Sequence, residues 1–146
     1  MNDKSEKTLD YWINLAKQIA VQAHTGQFRN DKKTPYIKHP EAVAQMVEER
    51  LKPIAWLHDV VEDTGVSLQD LVDAGFPSYV TDAVDSITHR KSDTNVTYWK
   101  NMLNNPDAVI VKIADIKTNL NDTPNDYQKM KYARALKVFA DAGYDV

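Results

Sequence analysis

Four ionisable residues stand close together in an otherwise apolar segment, AWLHDVVEDTG, at positions 55–65. They are His58, Asp59, Glu62 and Asp63. On a continuous α-helix, which turns by about 100° per residue, His58 and Glu62 lie one turn apart, and Asp59 and Asp63 lie one turn apart beside them. The four groups then share one polar edge while apolar residues cover the rest of the helix. This pattern predicts a helix that packs into the core on one side and presents metal-binding or catalytic residues on the other.

An adjacent His-Asp pair offers a divalent ion one imidazole nitrogen and one carboxylate oxygen. Binding an ion would offset the cost of desolvating charged groups this close to an apolar core. Two ligands do not complete a site, and the candidates for completion are His39 and Asp115. We therefore predict a site for one ion with His39, His58, Asp59 and Asp115 as its ligands. The chain contains no cysteine, so thiolate zinc sites and disulfides are excluded.

Apolar residues at helical spacing, punctuated by Gly and Pro, predict an all-α fold of about eight helices. The predicted helices span residues 8–24, 40–49, 53–63, a short stretch from Ser67 to near Gly75, a helix opened by Pro77, and residues 94–103, 107–120 and 126–143. His39 precedes Pro40, which biases His39 away from helical geometry and holds it at the head of the second helix. On the seventh helix, Lys112, Asp115 and Asn119 share one face at spacings of three and four.

A chain of 146 residues with 42% hydrophobic and 27% charged residues has the size and composition of one globular domain, which we predict to span residues 1–146. The net charge of −3 gives no general basis for nucleic-acid binding. No segment approaches the roughly 20 apolar residues of a membrane span, and the N-terminal segment lacks the apolar core of a signal peptide. We expect a cytoplasmic protein with no membrane or nucleic-acid partner, and the sequence does not predict its oligomeric state.

Four motif-bearing segments follow one another along the chain: AHTGQFRNDKKTPYIKHPEAVA, AWLHDVVEDTGVSLQDL, VTDAVDSIT and VIVKIADIKTN. Their order and spacing resemble the HD-superfamily hydrolase domain of bifunctional alarmone synthetase-hydrolases and, more closely in length, the stand-alone small alarmone hydrolases. A lone HD dipeptide would be weak evidence, but PYIxHP, HDxxED and KxAD together are specific. The resemblance implies hydrolysis of the 3′-pyrophosphate of guanosine tetra- or pentaphosphate to GDP or GTP plus pyrophosphate, with manganese as the cofactor.

Carried over motif by motif, the resemblance puts the metal on the four predicted ligands and the acid-base pair on Glu62 and Asp63. These two carboxylates lie one turn further along the polar edge, where one of them can take a proton from an attacking water. The residues expected to meet the substrate are Arg29, Lys32, Lys33, Lys112 and Asn119. Of these, Arg29 can make a bidentate contact with a phosphate.

The sequence departs from the family pattern around Arg29. The family usually has a basic residue directly after this position and a glycine or similar loop residue shortly before PYI, whereas residues 30–34 of this chain read NDKKT. The base preference therefore stays open. Ile116 and Asn121 stand where the family commonly has basic residues, which removes two expected phosphate contacts. The basic segment THRKSDT, residues 88–94, offers replacements from another loop.

Two other functions stay open at this point. An HD phosphohydrolase that acts on a different nucleotide is kept open by the altered loop. A metal-dependent nucleotide-binding module without catalysis is disfavoured by the complete Glu62 and Asp63 pair, which a pure binder does not need. Among the remaining residues, we expect His24 to pack near the site rather than to bind the ion. Tyr98 and Trp99 are expected in the core rather than as stacking platforms for a base.

Overall fold

The computed structural model describes residues 7–146, and within this range the chain is helical with no β-strand. The elements are α1 (Leu9–Ala23), α2 (Lys38–Gln45), a 3₁₀ turn (Glu49–Leu51), α3 (Lys52–Leu57), α4 (Val60–Asp63), α5 (Leu68–Asp73), α6 (Ser78–Ile87), α7 (Asn95–Met102), α8 (Pro106–Leu120) and α9 (Asp126–Asp141). The predicted all-α fold is confirmed. The expectation that the N-terminal segment lacks a signal peptide falls partly on residues 1–6, which lie outside the described residues.

Helix starts follow the capping chemistry that the sequence contains. At α5, the Ser67 hydroxyl accepts the Asp70 N–H at 3.0 Å, and the Asp70 carboxylate accepts the Ser67 N–H at 2.9 Å, as the predicted capping box requires. At α8, the Asn105 side chain accepts the Ala108 N–H at 3.0 Å, and Pro106 occupies the first helical position. These caps set the register of α8 and with it the direction of the polar residues on that helix.

The prediction of one continuous helix over residues 53–63 is wrong, because the helix breaks at His58 and Asp59. The His58 N–H meets Ala55 C=O at 3.5 Å, three residues back, and Asp59 has φ −106° and ψ −5°. The His58 ring also donates from Nδ1 to the same carbonyl at 2.6 Å. Such a local side-chain bond competes with the helical ladder. Neighbours on a regular helix point about 100° apart, and the break brings His58 Nε2 and Asp59 Oδ2 to 3.0 Å.

The second helix also differs from its prediction. It begins at Lys38 and ends at Gln45, whereas residues 40–49 were expected. His39 therefore lies within the first turn of α2, and the expectation that Pro40 keeps it out of helical geometry is wrong. Proline is tolerated at this point because the first N–H groups of a helix have no intrahelical partner. The His39 N–H donates instead to Tyr36 C=O at 2.9 Å, which ties α2 to the preceding loop.

Helix α3 lies at the centre of the fold, with residues 53–57 all buried and packed against α1, α2, α6 and α8. Helix α8 buries most of the residues between Ala108 and Ile116. Tyr98 and Trp99 are buried as expected. Side chains on these helices are held by close packing, so polar groups that project from them have little freedom to reorient. Among the helices of residues 7–146, none has the length and apolar character that crossing a bilayer requires.

Candidate functional site

The four residues predicted as metal ligands meet at one place, where α2, α8 and the break between α3 and α4 come together. Nε2 of His39 lies 2.7 Å from Oδ1 of Asp115, and Nε2 of His58 lies 3.3 Å from the same oxygen. Oδ2 of Asp59 lies 3.0 Å from His58 Nε2 and 3.7 Å from His39 Nε2. We call these four residues the His-Asp cluster. His39, His58 and Asp115 are buried, and their ligand atoms all lie within 4.8 Å of one another.

The chemistry of the cluster fits a divalent ion. Two imidazole nitrogens and two carboxylates are the donor set that transition-metal ions of intermediate hardness accept. The bond from His58 Nδ1 to Ala55 C=O fixes the tautomer and leaves Nε2 as the atom directed into the cluster. Nδ1 of His39 is buried with no hydrogen-bond partner among the described residues, so Nε2 is the atom through which this side chain makes its polar contacts.

The charged groups of the cluster shift the pKa values of one another. Burial lowers the pKa of His58, but the carboxylates of Asp59 and Asp115 outweigh burial and raise that pKa well above 6.5. Burial raises the pKa of Asp115, but the charges of Lys112 and His58 hold it well below 3.8. Against the effect of burial, the charge of His58 lowers the pKa of Asp59 to about 2. Both carboxylates therefore favour a positive charge at Nε2 of His58, and a divalent cation bound there would take the place of a proton.

Glu62 and Asp63 lie on α4 beside the cluster, and both side chains are exposed. Oε1 of Glu62 accepts the backbone N–H of His89 at 2.9 Å. The backbone carbonyl of Asp63 accepts Nε2 of Gln27 at 2.9 Å, which fastens the end of α4 to the loop after α1. Partial desolvation beside the cluster, followed by the charges of Asp59 and Glu62, raises the pKa of Asp63 to about 6. Two carboxylates with different environments thus border the open side of the cluster.

A cavity of about 110 Å³, which we call the inner cleft, opens next to His58, Asp59 and Glu62. Lys112 and Lys131 both line it. The inner cleft therefore combines the edge of the His-Asp cluster with two cationic side chains, and this is a suitable environment for a phosphate chain.

Lys112, a predicted substrate-binding residue, lies on α8 and donates to Oδ2 of Asp115 at 3.0 Å. Lys131, which was not predicted, lies on α9 with its ammonium 5.2 Å from the ring centre of Tyr132. Burial and the charge of Lys112 lower the pKa of Lys131. Several other cations occupy α9, so no sequence signal singles out Lys131; its position depends on how α9 packs against α7 and α8.

The Arg29 side chain is held in a network of hydrogen bonds. Its Nε and Nη2 donate to Oδ2 of Asp122 at 3.0 and 2.5 Å, and Nη2 also donates to Oδ1 of Asn119 at 3.2 Å. Asn119 in turn donates to Oδ1 of Asp115 at 3.3 Å. The guanidinium lies 5.5 Å from the ring centre of Tyr36. Arg29 is thus connected to the His-Asp cluster, but a carboxylate already compensates its charge.

Lys32 and Lys33 are exposed, and neither lines the inner cleft. Their loop is a tight turn in which Asp31 Oδ1 accepts the N–H groups of Lys33 and Thr34, both at 2.8 Å. The bond from the Thr34 hydroxyl, together with these two, lowers the pKa of Asp31 to about 2. Lys32 has φ 63°, a left-handed conformation that favours glycine. The loop therefore keeps a glycine-like backbone without the glycine that the family pattern contains.

His24 is buried next to the cluster, as expected, with Nδ1 2.8 Å from Oε1 of Gln27 and its ring centre 4.9 Å from that of Tyr36. The segment 88–94 lies beside Glu62, and its His89 lines the inner cleft. There the ring of His89 stacks on Tyr98 at 4.4 Å between centres. Of the basic residues in that segment, Arg90 is paired with a carboxylate of α6.

Comparisons with known proteins agree with the motifs, although no protein-family model matches the chain. A probable GTP pyrophosphokinase of Mycobacterium leprae is 31% identical over 145 residues, which are 88% of this chain but 18% of that protein. The chain thus spans less than a fifth of this relative. The guanosine-3′,5′-bis(diphosphate) 3′-pyrophosphohydrolase MESH1 of Danio rerio is 30% identical over 135 residues, 84% of this chain and 72% of that protein. The mouse MESH1 is 32% identical over 120 residues, 73% and 66% of the two chains.

The fold is also similar to a solved structure. A metazoan orthologue of SpoT, described as hydrolysing ppGpp, superposes with a TM-score of 0.69 at 25% identity over 89% of this chain and 81% of that one. The helical fold and the His-Asp cluster define the HD class of hydrolases, and the resemblance found in the sequence is confirmed. Within that class, the chain belongs to the MESH1 family of guanosine-3′,5′-bis(diphosphate) 3′-pyrophosphohydrolases.

Proposed function

We propose that this protein hydrolyses the 3′-pyrophosphate of guanosine tetra- or pentaphosphate, giving GDP or GTP plus pyrophosphate. The observation that carries the proposal is the convergence of His39, His58, Asp59 and Asp115 beside a cleft that Glu62 also borders. The relatives named as 3′-pyrophosphohydrolases support cleavage at the 3′ rather than the 5′ side of the nucleotide. We also propose that residues 1–146 form one domain of this type, because α1 to α9 contribute to one continuous core.

We infer that the His-Asp cluster holds one divalent ion, with Mn²⁺ as the native cofactor. Its nitrogen and oxygen donors and the absence of cysteine support such an ion. When bound, a divalent cation polarises a phosphoryl oxygen and lowers the pKa of water, and both effects favour attack on phosphorus at neutral pH. Nickel, copper or zinc bind the same donors more tightly, so affinity alone does not identify the native ion.

We propose Glu62 as the general base and Asp63 as the general acid. The His89 N–H holds Oε1 of Glu62, so Oε2 is left to accept the proton of the attacking water. The new bond forms between the water oxygen and the phosphorus attached to the ribose 3′-oxygen, and the bond from that phosphorus to the 3′-oxygen breaks. The pKa of about 6 at Asp63 supports its giving a proton to the leaving 3′-oxygen. Exchange with solvent then resets both carboxyl groups.

We propose that Lys112 and Lys131 contact the pyrophosphate group, since both line the inner cleft. Asn119 and Arg29 are proposed to contact the ribose or base side of the nucleotide, because their network begins at Asp115 and leads away from the inner cleft. For Lys32 and Lys33, whose side chains are exposed, we propose long-range attraction of the polyanionic substrate rather than direct contact.

A small nucleotide is the proposed partner, without nucleic acid or membrane, and the cytoplasm is the proposed compartment. The net charge of −3 and the small size of the inner cleft, with Lys112 and Lys131 in its lining, support a small anionic ligand over a nucleic acid.

The direct test is product analysis with the purified protein and added Mn²⁺. The substrates are guanosine 5′-diphosphate 3′-diphosphate, its adenosine counterpart and a guanosine nucleotide with phosphates only at the 5′ position. We expect pyrophosphate as the first product from the first substrate and no turnover of the third. Orthophosphate as the first product would instead support an HD phosphohydrolase of different specificity. The adenosine compound measures how far the altered Arg29 loop has shifted the base preference.

The roles of Glu62 and Asp63 are tested by conservative amide substitutions. We expect Glu62→Gln to lower kcat on the order of a hundredfold or more while metal content and folding stay unchanged, because it removes the base but keeps the shape. Asp63→Asn is expected to act in the same direction, with an equal or smaller effect. Glu48→Gln, at an exposed position outside the inner cleft, is the matched control. Near wild-type turnover by metal-loaded Glu62→Gln would show that Glu62 is not the base.

A further inference from the structure

Asp59 is held differently from the other three members of the His-Asp cluster. Its side chain is 17% exposed, whereas those of His39, His58 and Asp115 are 2%, 1% and 5% exposed. It also lies at the break between α3 and α4, outside regular helix. Close packing therefore orients three of the four side chains, and Asp59 needs a different source of orientation.

The Tyr36 hydroxyl supplies a bond to Asp59. It donates to Oδ2 of Asp59 at 2.5 Å. This is the same oxygen that faces Nε2 of His58 at 3.0 Å and Nε2 of His39 at 3.7 Å. A carboxylate oxygen has two lone-pair directions, so accepting this bond leaves one direction for a ligand inside the cluster.

Tyr36 is itself held in place on several sides. Its ring centre lies 4.9 Å from that of His24 and 5.7 Å from that of His39, and the Arg29 guanidinium lies 5.5 Å from it. Its carbonyl accepts the His39 N–H at 2.9 Å. One residue thus connects His39, through backbone and ring contacts, with Asp59, through its hydroxyl. These two members of the cluster come from different elements and are 20 positions apart in the sequence.

We propose that Tyr36 is a positioning residue that directs Oδ2 of Asp59 into the His-Asp cluster and so sets the affinity of the cluster for its ion. The inference rests on the proposed metal-binding role of the cluster. Partners that orient a metal-binding carboxylate typically contribute a factor of about 10–100 in metal affinity. Asp59 is partly exposed and lies outside regular helix, so it is the member for which an orienting bond matters most.

Tyr36→Phe tests the proposal because it removes the hydroxyl and keeps the ring packing. We expect the Kd of the purified protein for Mn²⁺, measured by calorimetry or by electron paramagnetic resonance of free Mn²⁺, to rise about 10–100-fold. Tyr79→Phe is the matched control, since its hydroxyl donates to the Arg50 carbonyl at 2.9 Å, away from the cluster, and its loss should leave that Kd unchanged.

Thermal unfolding separates positioning from a merely structural role. With a chelator present, Tyr36→Phe and Tyr79→Phe should unfold at similar temperatures, whereas the rise in Tm on adding Mn²⁺ should shrink only in Tyr36→Phe. An unchanged Kd in Tyr36→Phe, or an equal loss of Tm with and without Mn²⁺, overturns the inference while leaving the metal site intact. A wild-type protein that binds no Mn²⁺ overturns both the inference and the proposed metal site.

Discussion

The His-Asp cluster and the cationic side chains around it are built in opposite ways. The cluster consists of side chains from three parts of the fold, and each imidazole lies within 3.7 Å of both carboxylates. The cations are long side chains with separate environments: Arg29 is paired with Asp122, Lys112 with Asp115, and Lys33 is exposed.

The difference has a physical cause. Ionisable groups that are buried must satisfy one another, because an unpaired buried charge is costly. Removing one charge of the cluster therefore leaves the others uncompensated, so the cluster is either complete or strongly destabilised. A lysine or arginine keeps a flexible stem and can place its charge in several directions, so its role depends on the nearest carboxylate. Substitutions in the cluster should consequently remove function together with stability, while substitutions among the cations should give graded effects.

The largest effect is expected from Asp115→Asn. Asp115 contacts both imidazoles of the cluster and Lys112, so its charge supports both an ion and a partly buried lysine. We expect loss of bound metal, a fall in kcat on the order of a thousandfold or more, and destabilisation of about 3 kcal/mol, the scale for breaking a buried pair. Metal analysis, turnover and urea unfolding measure the three effects.

Asp107→Asn is the control for this experiment, since Asp107 lies on the same helix and its partner Arg50 is at the surface. An exposed pair should contribute less than about 1 kcal/mol, and metal content should not change. If the two variants behaved alike, the claim that the cluster is either complete or strongly destabilised would be wrong.

A smaller effect is expected from Lys131→Met, which removes one of the two lysines that line the inner cleft. Removing a charge-assisted bond to the pyrophosphate should lower kcat/KM by about 10–100-fold. Lys33→Met removes the same charge from the exposed loop and should change kcat/KM by less than about twofold at physiological salt. Steady-state kinetics at two ionic strengths compares them. Equal effects in the two variants would contradict the assignment of Lys131 to the substrate.

Asp122→Asn should have a modest effect in the opposite direction. It removes the carboxylate that compensates Arg29, so the loop presents more positive charge to a polyanionic substrate. We expect KM to fall about two- to fivefold at low salt, and less at high salt, because the gain is electrostatic. Asp141→Asn, which breaks an exposed pair with Lys137, is the control for a general change in net charge. A rise in KM would show that Asp122 mainly orients Arg29.

The smallest effect is expected at Lys32. Its φ of 63° is strained for a residue with a side chain, so Lys32→Gly should relieve a cost of about 1 kcal/mol. Part of this gain is offset because glycine is more flexible in the unfolded chain, which leaves about 0.5 kcal/mol of stabilisation. Chemical unfolding measures the change. Lys33→Gly, at a neighbouring position without positive φ, should destabilise instead, and turnover should stay near wild type in both variants.

The stability of the same turn should depend on pH in the acid range, because Asp31 titrates there. Its pKa of about 2 in the folded protein lies below the ordinary value of 3.8, so its ionised form is favoured by folding. The resulting stabilisation is present above the ordinary pKa and is lost as the pH falls from about 4 through about 2. Asp31→Asn should therefore flatten the loss of stability over this window in acid unfolding experiments. An unchanged profile would mean that the Asp31 bonds do not stabilise the loop.

The helical fold and the four residues of the His-Asp cluster could be predicted from the sequence alone. Apolar spacing and caps such as Ser67 and Asn105 define helices because they depend on residues only three or four positions apart. The motifs that contain His39, His58 and Asp115 also predict the cluster. Short, buried, ionisable side chains in core helices can be accommodated only where they meet.

The orientation of these groups, and which cations reach them, depend on contacts that form only when the chain folds. The break at His58 and Asp59 arises where a side chain competes with the helix for one carbonyl, and local propensity does not reveal which of the two bonds prevails. Arg29 is bound by a residue 93 positions away, and Lys131 reaches the inner cleft through the packing of α9. Such contacts depend on the distance between elements after folding, which spacing along the chain does not encode.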